Sequence, residues 1–207
     1  MKFFKKIFVF TFISLIAISC TADRFQGSGW SSPFVHNDNV YVATIDGELI
    51  SINIENASEN WRAVSLDDDD KKFVAKAIYS KPFIFDNKVF IGTSAGKILG
   101  FNQQTGLDEV SLQDIEEKVL LSEENFGPMI VGNIVSKDKK IFIPASNGEL
   151  LVFEYNELEM FEPVCSYNAQ KAIWNTPLID DKNEQIIFGS MDGYLYSVDD
   201  KCNLNWK

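Results

Sequence analysis

The sequence predicts an all-β fold: a β-propeller of four-stranded antiparallel blades, with about four blades in 207 residues. Three observations predict it. A self-similar segment recurs four times, placing hairpin glycines at Gly47, Gly96, Gly148 and Gly193, in steps of 49, 52 and 45 residues. Each glycine follows a β-branched or aromatic run, and three of the four follow Asp or Asn, the chemistry of a tight hairpin. No apolar stripe of helical period competes in the body of the chain.

The chain opens on an address. Residues 1–19 read as an export signal: Lys2, Lys5 and Lys6 precede an apolar run from Ile7 to Ile18. Twelve residues suit a signal peptide and fall short of the ~18 needed to cross a bilayer. Ala17-Ile18-Ser19-Cys20 resembles a bacterial lipobox, whose cysteine carries lipid and becomes the new N-terminus; ordinary cleavage after Ala22 is the alternative. Ala17 stands where that pattern usually has Leu, and Thr21 after the cysteine implies the outer membrane. Residues 20–29, rich in glycine toward their end, then form the lipidated Cys20 and a tether.

Residues 30–207 hold the repeats. The first unit runs Trp30-Ser31-Ser32-Pro33-Phe34-Val35, Val40 to Thr44, Asp46-Gly47, Leu49 to Asn53. The second runs Tyr79-Ser80-Lys81-Pro82-Phe83-Ile84, Val89 to Thr93, Ala95-Gly96, Ile98 to Asn102. The third is read from Gly127-Pro128-Met129-Ile130 through Ile141 to Ala145, Asn147-Gly148 and Leu150 to Glu154. The fourth runs Trp174-Asn175-Thr176-Pro177-Leu178-Ile179, Ile186 to Ser190, Asp192-Gly193, Leu195 to Asp199. The proline lacks an N–H and so opens each first strand. Pro144 falls inside a second strand, where a bulge or an unpaired N–H position is expected. Three strands are visible per unit, with room for a fourth. A two-sheet sandwich leaves the fixed Pro-to-Gly layout unexplained.

Composition narrows the chemistry. The net charge of −11 becomes −14 without the three leader lysines, so nucleic acid is not an expected partner. His36 is the only histidine, which disfavours His-based metal sites and Ser–His–Asp catalysis. Three cysteines without a CxxC exclude a four-cysteine zinc or iron–sulfur site. Asp67-Asp68-Asp69-Asp70 lacks the alternating ligands and glycine of an EF-hand and reads as a solvated connection. His36 reads as part of a polar turn. Trp30, Tyr79 and Trp174 read as packing between blades, with a stacking platform as the alternative.

The layout Ser-Pro, short strand, Thr44-Ile45-Asp46-Gly47, Leu49-Ile50-Ser51-Ile52-Asn53 and then Trp61 resembles the PQQ-type (pyrroloquinoline-quinone-like) β-propeller repeat. That family includes quinone-dependent dehydrogenases and BamB-like outer-membrane assembly lipoproteins. The resemblance covers Trp30 to Lys207. It implies that Trp61 and Trp206 dock one blade onto the next; Val110 and Glu162 are read at the equivalent places in the middle units. Thr105-Gly106 keeps the family's Thr-Gly turn. Family rings have seven or eight blades, so four imply an incomplete version of a longer protein or half a ring completed by a partner. In that frame Trp206 should begin the last outer strand.

The resemblance implies a non-catalytic, membrane-tethered scaffold for protein–protein interaction in the bacterial cell envelope, facing the periplasm from the outer membrane and serving outer-membrane protein assembly. Its partners would be envelope proteins, or other copies through blade edges, with the membrane held by the lipid anchor. The alternative is a truncated relative of a secreted PQQ-dependent dehydrogenase. Such enzymes hold calcium and quinone, often beside a vicinal cysteine pair, and no Cys-Cys occurs here. No catalytic residue, metal or cofactor is therefore expected. Cys165 and Cys202 are either a disulfide of an oxidising compartment or two separate thiols; pairing needs Cα atoms within about 7 Å.

The leader generates one prediction. Fatty-acid labelling of expressing cells should mark the wild-type protein and not Cys20→Ala. Equal labelling, or a mature N-terminus at Asp23, would refute lipidation at Cys20.

Overall fold

A computed structural model describes residues 31–44, 47–64, 77–94, 96–111, 128–156 and 161–207. Cys20, Trp30, Asp67 to Asp70 and the tether lie outside the described residues. Within them, every regular element is a strand, and sixteen strands form four four-stranded antiparallel sheets. Blade one is β1 (Phe34–His36), β2 (Asn39–Ala43), β3 (Glu48–Asn53) and β4 (Glu59–Val64). Blade two is β5 (Phe83–Phe85), β6 (Lys88–Gly92), β7 (Ile98–Asn102) and β8 (Asp108–Ser111). Blade three is β9 (Val135–Lys137), β10 (Lys140–Pro144), β11 (Glu149–Tyr155) and β12 (Phe161–Asn168). Blade four is β13 (Leu178–Asp180), β14 (Gln185–Gly189), β15 (Leu195–Val198) and β16 (Leu204–Trp206). Each blade is a meander in chain order, and the ring is not closed. Trp206 ends β16 instead of beginning it, because the turn before that strand reaches Asn203.

Burial follows from position in the row. All five residues of β6 are buried, and so are Ile141 to Pro144 of β10, because blades two and three have neighbours on both faces. β2 and β14 alternate buried with half-buried residues, since blades one and four are covered on one face only. The core is accordingly three clusters, one between each consecutive pair. Tyr41, Leu49 and Trp61 meet Val89, Ile91 and Phe101. Phe83, Phe90 and Ile98 meet Ile143, Phe153 and Phe161. Phe142, Leu150 and Val152 meet Ile186, Phe188 and Tyr196.

The hairpins between second and third strands turn through Gly47, Gly96, Gly148 and Gly193, with φ of +79°, +79°, +93° and +90°. An L side chain is strained there, which is why glycine recurs with the repeat.

The segments entering the blades are linked in turn. Ser31 Oγ donates to Ser80 O at 2.9 Å, Lys81 N to Asn133 Oδ1 at 2.7 Å, and Asn133 Nδ2 to Thr176 Oγ1 at 2.8 Å. These bonds correct the third unit. Pro33, Pro82 and Pro177 immediately precede β1, β5 and β13, whereas Pro128 lies seven residues before β9 and Ile134 takes the place of the proline.

Two residues before that place, blades two, three and four each solve a small polar problem. Ser80 Oγ accepts from Gly92 N and donates to Gly92 O, both at 3.0 Å, at the end of β6. With its amide oriented to suit, Asn175 accepts from Gly189 N at 2.7 Å and donates to Gly189 O at 3.1 Å, at the end of β14. In blade three the pair is Gly132 and Pro144: no side chain to bond, and no N–H needing a partner. Pro144 pairs with Leu150 in unbroken register, so no bulge marks it.

Gly132 is closely confined by its own strand end and by the segment entering blade four. A Cβ there would collide with Asn175 O and lie 2.8 Å from Pro144 Cγ, while a Cβ at Gly193 meets nothing within 4 Å. Gly193→Ala should lose only the backbone strain of about 1–2 kcal/mol. Gly132→Ala must displace main chain as well, and its melting temperature should fall further. Equal melting temperatures for the two variants would contradict this placement of the blade-three entry segment.

Candidate functional site

The places that distinguish one blade from another lie where an outer strand meets the next blade. In all four sheets a bulge separates the same two residues of the third strand: Ser51/Ile52, Gly100/Phe101, Val152/Phe153 and Ser197/Val198. Just past it, the facing residues are Ser51 and Trp61, Gly100 and Val110, Val152 and Cys165, Ser197 and Trp206. The docking place of blade three is thus Cys165, not Glu162. Counting from the hairpin glycine fails there because the β11–β12 ladder runs on to Tyr155 and Phe161 before it turns.

The receiving element is the turn after the third strand. Asn53 Oδ1 accepts from the N–H groups of Glu55 and Asn56, Asn102 Oδ1 from those of Gln104 and Thr105, and Asp199 Oδ1 from those of Lys201 and Asn203. Asn203's side chain, then its backbone and that of Lys201, hold the Asp199 carboxyl below the usual carboxylate range. Each turn places one residue at positive φ: Ala57 at 56°, Gly106 at 70° and Cys202 at 63°.

Between blades one and two, the Trp61 ring lies on Gly106, where a Cβ would come within 2.6 Å of the indole. Its Nε1 donates to Gln103 O at 3.0 Å, and Tyr41 packs beneath it at 5.9 Å between centroids. The Tyr41 hydroxyl is buried without a hydrogen-bond partner among the described residues.

Between blades two and three, Val110 stands at the docking place and aromatic rings carry the contact. Phe85 meets Tyr155 at 5.2 Å, Phe90 meets Phe161 at 5.4 Å, and Lys88 Nζ donates to Tyr155 Oη at 3.2 Å. Burial is the main cause that raises the Tyr155 phenol above its ordinary value.

Between blades three and four, Cys165 and Cys202 form a disulfide with Cα atoms 6.0 Å apart. They occupy the places that Trp61 and Gly106 occupy between blades one and two, so a covalent bond stands where an indole stacked on glycine stands there. Lys140 Nζ pairs with Asp200 at 2.6 Å beside it, and Tyr167 packs on Phe188 and Tyr196.

Blade four presents its docking face outward. Trp206 is 41% exposed, with Leu178 at 62% and Leu195 at 52%. Under them Ser197 Oγ donates to Gln185 Oε1 and accepts from Asn205 Nδ2, while in blade one Asn60 Nδ2 bridges Asn39 Oδ1 and Ser51 Oγ. Blades one and four therefore share one polar support for the tryptophan. In the blade-four hairpin Tyr196 donates to Asp192, which with burial pushes the phenol up to about 12 and lowers the Asp192 carboxyl.

The remaining sequence candidates are scattered. His36 ends β1 opposite Asn39. Trp174 is half-exposed, so packing between blades does not account for it. Among the described residues, no three His, Cys, Asp or Glu side chains converge on a site for a metal ion.

Comparison with known proteins agrees with this architecture. Residues 22–202 match the family described as outer membrane protein assembly factor BamB. No curated protein sequence matches the chain. Among solved structures it is similar to BamB from Moraxella catarrhalis, with 16% identity, a TM-score of 0.65, and coverage of 87% of this chain and 52% of that one. A europium-containing methanol dehydrogenase gives 11% identity, a TM-score of 0.65, and coverage of 87% and 42%. The computationally designed Ika4 protein gives 13% identity, a TM-score of 0.56, and coverage of 83% and 92%. The chain spans about half the length of the BamB structure it resembles.

The two docking modes predict different losses. Gly106→Val should lift Trp61 from its seat and strain the turn, costing about 1–3 kcal/mol. Replacing Cys165 and Cys202 by Ser should cost about 2–5 kcal/mol. Reductant should lower the melting temperature of the wild type and of Gly106→Val but not of the double-serine variant. A reductant-insensitive wild type would refute a stabilising disulfide.

Proposed function

The chain belongs to the BamB family of outer membrane protein assembly factors, and on that premise we propose that it is a non-catalytic scaffold of the bacterial cell envelope. In this reading Cys20 carries lipid, the tether through residue 29 holds the blades at the outer membrane on the periplasmic side, and the blades bind envelope proteins during outer-membrane protein assembly. The family match over residues 22–202 carries the reading. The fold supports it in a second way. Among the described residues, no fifth strand pairs with β4, β8, β12 or β16, so each outer strand offers main-chain groups to an extended peptide. The acidic chain favours basic partners, whose association weakens with salt.

The dehydrogenase likeness, at 11% identity, concerns the fold, and a fold of this kind hosts both enzymes and scaffolds. The two are separated by experiment. Deleting the gene in its own organism should reduce outer-membrane protein content in quantitative proteomics of the membrane fraction. The wild-type gene should restore it, and Cys20→Ala should restore it poorly. The purified full chain, given quinone and calcium, should reduce no dye with alcohols or sugars. Unchanged outer-membrane content, or substrate-dependent turnover, would overturn the reading.

A further inference from the structure

The disulfide between blades three and four stands at the rim of their interface and not within it. Phe142, Leu150 and Val152 of blade three meet Ile186, Phe188 and Tyr196 of blade four in a buried cluster, and Tyr167 adds two ring contacts. Cys165 and Cys202 border that cluster and are only half-buried. Val164 and Ser166 beside Cys165 are exposed, and so are Asp200, Lys201 and Asn203 around Cys202. Between blades one and two the same place is closed by the Trp61 ring, itself 8% exposed. The openness belongs to the rim and not to the position of blade four in the row. In blade two, which has a blade on either side, the equivalent turn leaves Gln104 and Thr105 exposed and Leu107 67% exposed.

Neither cysteine needs the bond for its own backbone conformation. In the turn, Asp199 O accepts from Cys202 N at 3.1 Å, Asp199 Oδ1 from Lys201 N and Asn203 N, and Asp199 Oδ2 from Asn203 Nδ2 at 2.9 Å. The turn of blade one holds Ala57 at positive φ in a similar way with no disulfide. Cys165 is fixed by the β11–β12 ladder, opposite Val152. Lys140 Nζ, paired with Asp200 at 2.6 Å, ties the turn to blade three a second time. The two sulfurs therefore stay neighbours when their bond is cut.

We propose that Cys165–Cys202 is a site of thiol–disulfide exchange in the folded chain, a clasp that a dithiol opens and a disulfide oxidant closes, with Cys202 as the sulfur attacked. Accessible disulfides are the labile ones, and exchange needs the incoming thiolate in line with the S–S bond. The line through Cys165 runs back into the blade-three sheet, beside the fully buried Val152; the line through Cys202 opens on the exposed turn. A thiolate of the dithiol forms a mixed disulfide with Cys202 and expels Cys165 as a thiolate, which takes up a proton. The second thiol, losing its proton, then attacks the dithiol's own sulfur in the mixed disulfide and releases Cys202, which takes up a proton in turn. The dithiol leaves as a disulfide, oxidised by two electrons, and the cystine is reduced by two. Opening removes the covalent link and leaves the buried cluster, so blade four stays packed on blade three with its turn released. This goes beyond the scaffold reading and holds whether or not the chain binds envelope proteins.

The test uses the full chain, exported by its own leader and purified in mild detergent. Dithiothreitol should reduce the disulfide in native buffer at a rate proportional to its concentration. That rate should stay constant across urea concentrations below the unfolding transition. Gly106→Val, which weakens a different interface, should be reduced at the wild-type rate; reduction paced by unfolding would run about fivefold faster or more in that variant. The urea series decides the same point on the wild type if Gly106→Val misfolds. The reduced chain should keep its β-sheet circular dichroism, and glutathione disulfide should restore the bond. Under excess glutathione, with free thiols blocked by iodoacetamide, peptide mass spectrometry should find glutathione on Cys202 and the alkyl group on Cys165. Reduction that accelerates with urea, loss of the sheet signal on reduction, or glutathione on Cys165 instead of Cys202 would overturn the proposal.

Discussion

A four-stranded sheet with apolar side chains on both faces cannot stand alone in water, and the rest of this structure answers that constraint. Each blade hides one face on its neighbour, and the core is three layers between blades with no common centre. The continuous burial of β6 and β10 and the alternation in β2 and β14 are two outcomes of one rule, set by whether a blade has one neighbour or two. In such a row each interface contributes its own share of stability, much as in other repeat proteins.

The three interfaces meet the same geometry with different chemistry. Trp61 on Gly106 gives area and one hydrogen bond, at the cost of a glycine the unfolded chain must order. The aromatic cluster of Phe85, Phe90, Tyr155 and Phe161 gives area without a defined seat. The Cys165–Cys202 bond fixes the relation covalently. In all four sheets a bulge lies next to the docking position.

Compensation within the repeat is equally local. Ser80 with Gly92, Asn175 with Gly189 and Gly132 with Pro144 occupy one structural place in three blades. In the first two a side chain satisfies a strand-end N–H and C=O; in the third the N–H is absent and so is the side chain that would serve it. Pro144, anomalous as a residue in a strand, is ordinary as a member of that pair.

By itself the sequence determined the repeat, the strand content and the hairpins, because these depend on neighbours in the chain: a β-branched run, then a residue free to take positive φ. Gly47, Gly96, Gly148 and Gly193 were legible for that reason, and Trp61 was legible through the family's pattern. What only the tertiary structure decided depends on residues far apart in sequence. Cys165 as the docking residue of blade three follows from a ladder that outruns its usual turn, which a count from Gly148 misses by treating all hairpins as equal. The entry segment at Gly132, which leads into a strand that begins seven residues after Pro128, follows from a close approach to Asn175 in the next blade. The contrast between buried Trp61 and exposed Trp206, each preceded by an asparagine that bonds a buried serine, follows from whether another blade covers the face. Local chemistry writes the blade; the packing of one sheet on another decides what each of its positions does.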